Sequence, residues 1–260
     1  SGWFALFDAT GANGAKLAFD EANKSGGIDG CLFEYVEADA KSDPAVGIQA
    51  AIDVISQGAE ILFVPNDLDL GIGAAQEGQN AGLLTISDGA SSADFSKSIG
   101  DLAFNGGLTS TDTANAQATF VKDQGWNQYF DVTVDAFSLF VDQSDLFEAA
   151  SGAERLGTST VTPDQTDFTQ SVSAISDKVG SEGSFVYANF FYPGVATFIK
   201  QLRAAGVSVP ILGNKDYAAP DLIEVVGNEA LKDVYITTIA PESGDPEIEQ
   251  FTASYQAAYG

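Results

Sequence analysis

The sequence predicts an α/β protein built of parallel sheets with helices on both sides. Three observations carry this expectation: short apolar runs alternate with helical patterns along the whole chain, the turns entering strands are plain glycine turns such as Gly58, Gly82 and Gly206, and the turns leaving strands are polar or aromatic. Strands that alternate with helices need crossover connections, so they lie parallel and are buried on both faces. Ligands of such sheets sit beyond the carboxyl ends of the strands, which directs attention to the polar turns. With 260 residues and 45% hydrophobic content the chain can bury a substantial core, read here as two lobes.

Taken in order, Gly11 to Ala22 sets Ala15, Ala18, Phe19 and Ala22 on one face and is stopped by Gly26-Gly27, which predicts a helix. Leu32 to Val36 predicts a strand. Asp43-Pro44 caps the next helix, with Val46, Ile48, Ala51, Ile52 and Ile55 apolar, and Gly58 ends it before a strand over Glu60 to Val64. The alternation continues with a helix over 71–81 and a strand over 83–86, a strand over 101–104 and a helix over 111–123, and a strand over 129–134 and a helix over 139–150. It ends with strands over 158–162, 184–188, 209–212 and 234–239, each followed by a helix, over 167–179, 194–205, 219–226 and 246–258. The opening Ser1 to Phe7 has no turn signal before it, and Tyr255 to Gly260 stops inside a helical pattern. A first strand and a late segment are therefore expected to be missing from the two ends.

One stretch organises the rest. The apolar run Leu83 to Ile86 ends in Ser87-Asp88-Gly89-Ala90-Ser91-Ser92, which leads into Ala93-Asp94-Phe95, a plausible start of helix. Backbone N–H groups at a helix start have no partner within the helix, and the Ser87, Ser91 and Ser92 hydroxyls add donors, so an anion fits there. Ser and Asp are equally the common N-capping residues, and both readings stand on this stretch alone.

Composition removes several classes of function. The formal net charge is −26, from 37 acidic and 11 basic residues, which opposes contact with nucleic acid or an anionic bilayer. The acidic residues are scattered among apolar ones and read as a solvated surface, with adaptation to salt a further possibility. No histidine is present, so Ser-His-Asp and Cys-His catalysis and His-ligated zinc or haem are unavailable. Neither a metal nor a cofactor is expected. The single cysteine, Cys31, forms no internal disulfide and is expected in the core. No run reaches the roughly 20 apolar residues that span a bilayer.

Several motifs together resemble the type I periplasmic solute-binding proteins of ABC transporters, in particular the branched-chain amino acid (leucine/isoleucine/valine) group. They are Phe19-Asp20-Glu21-Ala22-Asn23-Lys24-Ser25-Gly26-Gly27-Ile28-Asp29-Gly30, then Asp39 with Ser42-Asp43-Pro44 and Ala50-Ala51, then Thr166-Asp167-Phe168, and then Gly206-Val207 with Val209-Pro210-Ile211-Leu212-Gly213. The resemblance implies two doubly wound parallel-sheet lobes joined by a hinge: residues 1–104 with 240–260 returning to them, and residues 105–239. Crossings are expected near Phe104 to Gly107 and Ile239 to Pro241. It further implies a non-enzymatic, monomeric receptor, periplasmic or an extracellular lipoprotein, which closes over a small ligand and is read by a membrane permease. A ligand-sensing regulator on the same fold is the companion reading.

Carried over position by position, the family's carboxylate loop falls on Ile86-Ser87-Asp88-Gly89-Ala90-Ser91, so the Gly89 N–H and Ser91, with Ser87 and Ala90 beside them, are expected to hold the ligand carboxylate. Asn66, with Asp67, occupies a second contributing loop. In the second lobe the matching positions are Phe140, Phe191-Tyr192-Pro193, and Gly213-Asn214-Lys215-Asp216-Tyr217. Asp216 is the expected partner of an α-ammonium, and Trp3, Phe140, Phe191 and Tyr192 are expected to cover the apolar part. Phe140 and Phe191 read equally as core residues, Trp3 stands open between wall and loop, and a solvated turn is the alternative for Asp216. Where relatives carry Tyr, Phe140 lacks the hydroxyl, and Lys215 beside Asp216 points toward an aromatic or dicarboxylic acid as the alternative ligand.

Overall fold

The structure is a computed structural model that describes residues 1–92, 95–217, 219, 221–239 and 244–260. The chain divides into two compact units, Ser1–Thr109 with Ala240–Gly260, and Ser110–Ile239.

The first unit carries helices α1 (Ala5–Lys24), α2 (Pro44–Ser56), α3 (Leu68–Asn80) and α4 (Phe95–Ile99), and strands β1 (Ile61–Phe63), β2 (Leu84–Ser87) and β3 (Ala103–Asn105). The strands form one parallel sheet in that order. Because side chains alternate across a strand, Leu62, Val64 and Ala103 turn to one face. There they join Ala51, Val54, Ala74, Ala75, Phe95 and Ile99 in a core supplied by α2, α3 and α4. The other face presents Ile61, Phe63, Leu84 and Phe104, each 38–51% exposed, with Phe19 of α1 standing edge-on to Phe63 at 5.8 Å. Asp43 caps α2 as expected, its Oδ1 accepting from the Ala45 and Val46 N–H groups at 2.9 Å each, and Pro44 follows at the first helical position.

Three expectations for this unit need correction. The predicted strand over Leu32–Val36 is not formed. It has no ladder partner among the described residues, Leu32 is 66% exposed, and the backbone of Phe33 is instead held from both sides by Asn23, Nδ2 donating to Phe33 O at 2.9 Å and Phe33 N donating to Oδ1 at 2.7 Å. An extended apolar run without a neighbouring strand cannot satisfy its backbone as sheet. Cys31 is exposed and not in the core, because the Ile28–Cys31 turn closes on itself through two backbone hydrogen bonds of 2.9–3.0 Å. Helix α1 begins at Ala5, six residues before the expected start, with Gly11 inside it. Gly11 has a packing reason: a Cβ there would overlap the Asp88 carboxylate. The expected helix start at Ala93-Asp94, Pro220 of the helix expected over 219–226, and the crossing at Ala240-Pro241 lie outside the described residues.

The second unit carries α5 (Ser110–Asp123), β4 (Gln128–Val134), α6 (Ser138–Ser151), β5 (Glu154–Val161), α7 (Thr169–Ser176), β6 (Ser184–Asn189), α8 (Gly194–Ala204), β7 (Ile211–Gly213), a 3₁₀ turn (Lys215–Tyr217), α9 (Leu222–Val226) and β8 (Val234–Ile236). All five strands are parallel, in the order β5-β4-β6-β7-β8. Both faces are covered. Phe130, Val132, Val134, Val186 and Ala188 pack against Phe168, Val172, Ile175, Phe198, Ile199 and Leu202 of the α7/α8 side. Tyr129, Phe185, Tyr187 and Leu212 pack against Ala114, Val121 and Phe147 of α5 and α6.

Boundaries moved where pairing outvoted hydrophobicity. Strand β5 starts at Glu154, four residues early, because Glu154 and Arg155 pair with Gln128 and Tyr129. Strand β7 starts at Ile211, since Pro210 has no N–H to give and only its carbonyl is used, by Val186 N at 2.9 Å. Helix α7 starts two residues late because Asp167 Oδ1 takes the Thr169 N–H at 3.0 Å. Strand β8 stops at Ile236, three residues short of the expected end. Helix α10 (Pro246–Tyr259), capped by Asp245, returns to the first unit.

Candidate functional site

In the first unit the turns after β1 and β2 come together. A Cβ placed on Gly89 would lie 3.1 Å from Asn66 Cβ, so the turn carrying Asn66 packs directly on the turn carrying Gly89. Ser87 is fully buried and serves as an internal strap, its Oγ donating to Pro65 O at 3.3 Å and accepting from Ala90 N at 3.1 Å. Its hydroxyl proton therefore already has an acceptor inside the unit. Ser91 sits at φ +56°, a left-handed conformation that a side chain resists by roughly 1–2 kcal/mol. Around it Ser92 N donates to Ala90 O at 2.6 Å, closing a three-residue turn. The Ser91 side chain is buried and donates to Gly89 O at 2.7 Å. The Gly89 N–H has no partner among the described residues.

The described part of helix α4 follows this turn at Phe95–Ile99, and the helix start expected at Ala93-Asp94 lies outside the described residues. Asp67 is occupied by structure: it caps α3 through Leu70 N at 3.1 Å, and burial pushes its carboxyl up to about 6 despite that hydrogen bond. Trp3 stands in the turn before α1, 51% exposed, edge-on to Phe4 at 5.2 Å.

In the second unit the order β5-β4-β6 places a topological switch point beside β4, where crossovers leave on opposite sides and open a crevice at the carboxyl ends. The candidate residues Phe140, Phe191, Tyr192 and Asp216 converge at this end. Phe140 and Phe191 stack at 5.7 Å and 28° and are nearly buried, which makes them members of the core at its upper rim. Tyr192 N donates to Asp216 O at 3.3 Å, and the Tyr192 hydroxyl donates to Asp221 Oδ2 at 2.6 Å. The Asp216 side chain is 11% exposed and paired with Lys215 Nζ at 3.1 Å.

Below this rim lies a polar layer that sequence reasoning missed. Asn214 Oδ1 accepts from Asp216 N at 2.9 Å and Asn214 Nδ2 donates to Asn189 Oδ1 at 2.9 Å. Asn189 Nδ2 donates to Phe140 O at 2.6 Å and to Ser144 Oγ at 3.1 Å. Ser144 Oγ in turn donates to Asp131 Oδ1 at 3.4 Å, with Arg155 Nε 4.0 Å from the other oxygen. One connected set of hydrogen bonds thus fixes the backbone of the Asp216 turn, the carbonyl of Phe140 and the end of β6. Asn189, Asn214 and Asp131 are each at most 2% exposed, and no buried side-chain nitrogen or oxygen among the described residues lacks a partner. Burial drives the Asp131 carboxyl up to about 7, against the pull of Arg155. The available signal was an Asn directly after an apolar strand run, twice, at Asn189 and, one residue beyond β7, at Asn214.

Two α/β units with parallel sheets, one of them in doubly wound order, are the architecture of type I periplasmic binding proteins. A family profile described as periplasmic binding protein matches residues 1–260, and the chain belongs to that family. Among characterised proteins, the Leu/Ile/Val-binding protein BraC3 of Rhizobium johnstonii is 24% identical over 247 residues, covering 90% of this chain. This chain spans 64% of the length of that relative. Among solved structures, the branched-chain amino acid transporter substrate binding protein LivJ of Streptococcus pneumoniae, in complex with isoleucine, aligns with a TM-score of 0.88 at 22% identity, covering all of this chain and 74% of its own. A solute binding protein of R. palustris in complex with benzoate aligns at 0.82 with 19% identity, over all of this chain and 71% of its own. At these identities the structural likeness establishes the fold.

Proposed function

We propose that this chain is the solute-capturing part of an extracytoplasmic receptor for an ABC importer, and that it takes a small carboxylate-bearing ligand, an amino acid in the reading we favour. It works without chemical turnover: the ligand stabilises a closed state by its higher affinity for that state, and a permease reads the result. The observation that carries this reading is the strained turn at Ser91. A buried serine held at positive φ beside the Gly89 N–H, which has no partner among the described residues, is the kind of local cost that persists where a ligand is bound. Asp216 supplies the charge for an α-ammonium. The relatives named for leucine, isoleucine and valine support the amino acid class, and the benzoate-bound structure supports the wider class of carboxylates.

One observation favours a second reading. Asp216 is already paired with Lys215, so the rim offers a cation as well as an anion, as an aromatic or dicarboxylic acid would require. Calorimetry with leucine, isoleucine, valine, benzoate and succinate separates the two. Under the first reading Asp216→Ala lowers amino acid affinity by about 2 kcal/mol, because the ligand ammonium is left unpaired. Under the second, Lys215→Ala abolishes organic acid binding and the unsubstituted chain ignores amino acids. Failure of the unsubstituted chain to bind any of the five, or mass spectrometry showing that a bound compound is converted, refutes the proposal.

A further inference from the structure

An open hollow of about 370 Å³ lies within the first unit beside the turns after β1 and β2; it shares Asn66 with the candidate site and uses neither Ser91 nor Asp216. Its lining comes from α1 (Phe7, Thr10, Gly11), from Asn66 and Asp88 in the turns after β1 and β2, and from α10 (Phe251, Tyr255). The volume is in the range of sites for small molecules. Three of the walls are aromatic rings and one is a carboxylate. No lysine or arginine is among the described residues that line it.

The arrangement is held from several sides. The Tyr255 hydroxyl donates to Thr10 O at 3.3 Å, which fastens α10 to α1. Phe251 and Tyr255 lie 5.9 Å apart, one helical turn from each other on the same face. Phe251 Cζ lies within ordinary contact distance of position 14, and Gly11 admits the Asp88 carboxylate, which a Cβ would displace. A second carboxylate stands behind the first: Asp8 Oδ1 accepts from Asn66 N at 3.0 Å. Burial and the neighbouring Asp88 both make Asp8 harder to ionise. The Asp88 carboxylate stands next to aromatic faces, whose own quadrupoles attract cations.

We infer that this cavity binds a small alkylammonium cation, with the Phe7, Phe251 and Tyr255 rings facing its methyl or methylene groups and Asp88 opposite its charge. An anion is repelled by Asp88, and an uncharged alkyl group gains no contact with the carboxylate. The inference does not rest on the ligand proposed above, although Asn66 borders both places.

Choline and its uncharged isostere 3,3-dimethyl-1-butanol, titrated calorimetrically into the intact chain in 0.15 M salt, test it. Choline is expected to bind saturably at one site, at least tenfold tighter than the isostere. Tyr255→Ala and Asp88→Asn are each expected to weaken choline at least tenfold. Gly11→Ala is the discriminating variant. It suits a helix better than glycine and displaces only the flexible end of Asp88, so the far-UV spectrum and melting temperature are retained while choline binding falls. Equal affinity for the two compounds, no saturable binding, or salt-sensitive binding untouched by Tyr255→Ala and Gly11→Ala would overturn the inference; the last would mean that the overall negative charge alone attracts cations.

Discussion

The ionisation of Asp131 is the most quantitative consequence of the polar layer. Its carboxyl is 1% exposed and titrates at about 7 in the folded chain, against 3.8 ordinarily. Between those two values the folded state keeps a proton that the unfolded chain releases, so this group makes stability fall as pH rises through that window and then level off. At about 1.36 kcal/mol for each pH unit of displacement, the whole effect is on the order of 4 kcal/mol. Asp131→Asn keeps the shape and the acceptor for Ser144 but has no proton to lose, and Arg155 retains Glu148 at 2.9 Å. The unfolding free energy of the Asn variant, minus that of the parent, should therefore climb by about 4 kcal/mol from pH 4 to pH 8. Urea titrations at each pH, followed by fluorescence of Trp126, report the second unit, because that ring packs on Phe185 at 5.2 Å. Other carboxylates cancel in the difference. A flat difference, or one that declines with pH, would refute the argument. A decline would mean that the Arg155 pairing outweighs burial.

Three further outcomes follow from local geometry. Ser91→Gly relieves the left-handed strain but gives up the hydrogen bond to Gly89 O and loosens the unfolded chain, so urea titration should show stability changed by less than about 1 kcal/mol, while calorimetry shows weaker ligand binding because the turn is no longer pinned. Asp43→Ala removes the cap of α2 and should lower the unfolding free energy by about 1 kcal/mol. Asn214→Ala leaves the buried Asn189 Oδ1 without its donor and should cost roughly 1–3 kcal/mol, and it should weaken any ligand contacted by Asp216, whose N–H it orients.

The parts of the fold that were legible are those in which a local signal and the tertiary environment agree. Asp43-Pro44 is a capping signal with a helix behind it, and β6 is an apolar run between turns with both faces buried. Leu32–Val36 carried the same kind of apolar signal and failed, because a strand is completed by its neighbour and none among the described residues pairs with it. Glu154 and Arg155 carried no apolar signal and became strand for the converse reason. The candidate site was legible to the extent that polar turns follow strands, and the structure gathers Asn66 with Gly89 and Phe140 with Phe191, Tyr192 and Asp216. The buried layer beneath was not. Asp131 sits in a strand covered on both sides, where the alternation of Phe130, Asp131 and Val132 marks no solvent face, and its partners Ser144 and Arg155 lie 13 and 24 residues away along the chain.

In the 260-residue chain, the apolar side chains that the β1-β2-β3 sheet leaves exposed invite association, which the chain's acidity opposes. Copies that meet through Ile61, Phe63 and Phe104 would bury oily surface, yet each brings a formal charge of −26 to the encounter. That repulsion reaches about 10 Å in 0.1 M electrolyte and only about 3 Å in 1 M. Light scattering should therefore find separate molecules in dilute buffer and association in concentrated electrolyte.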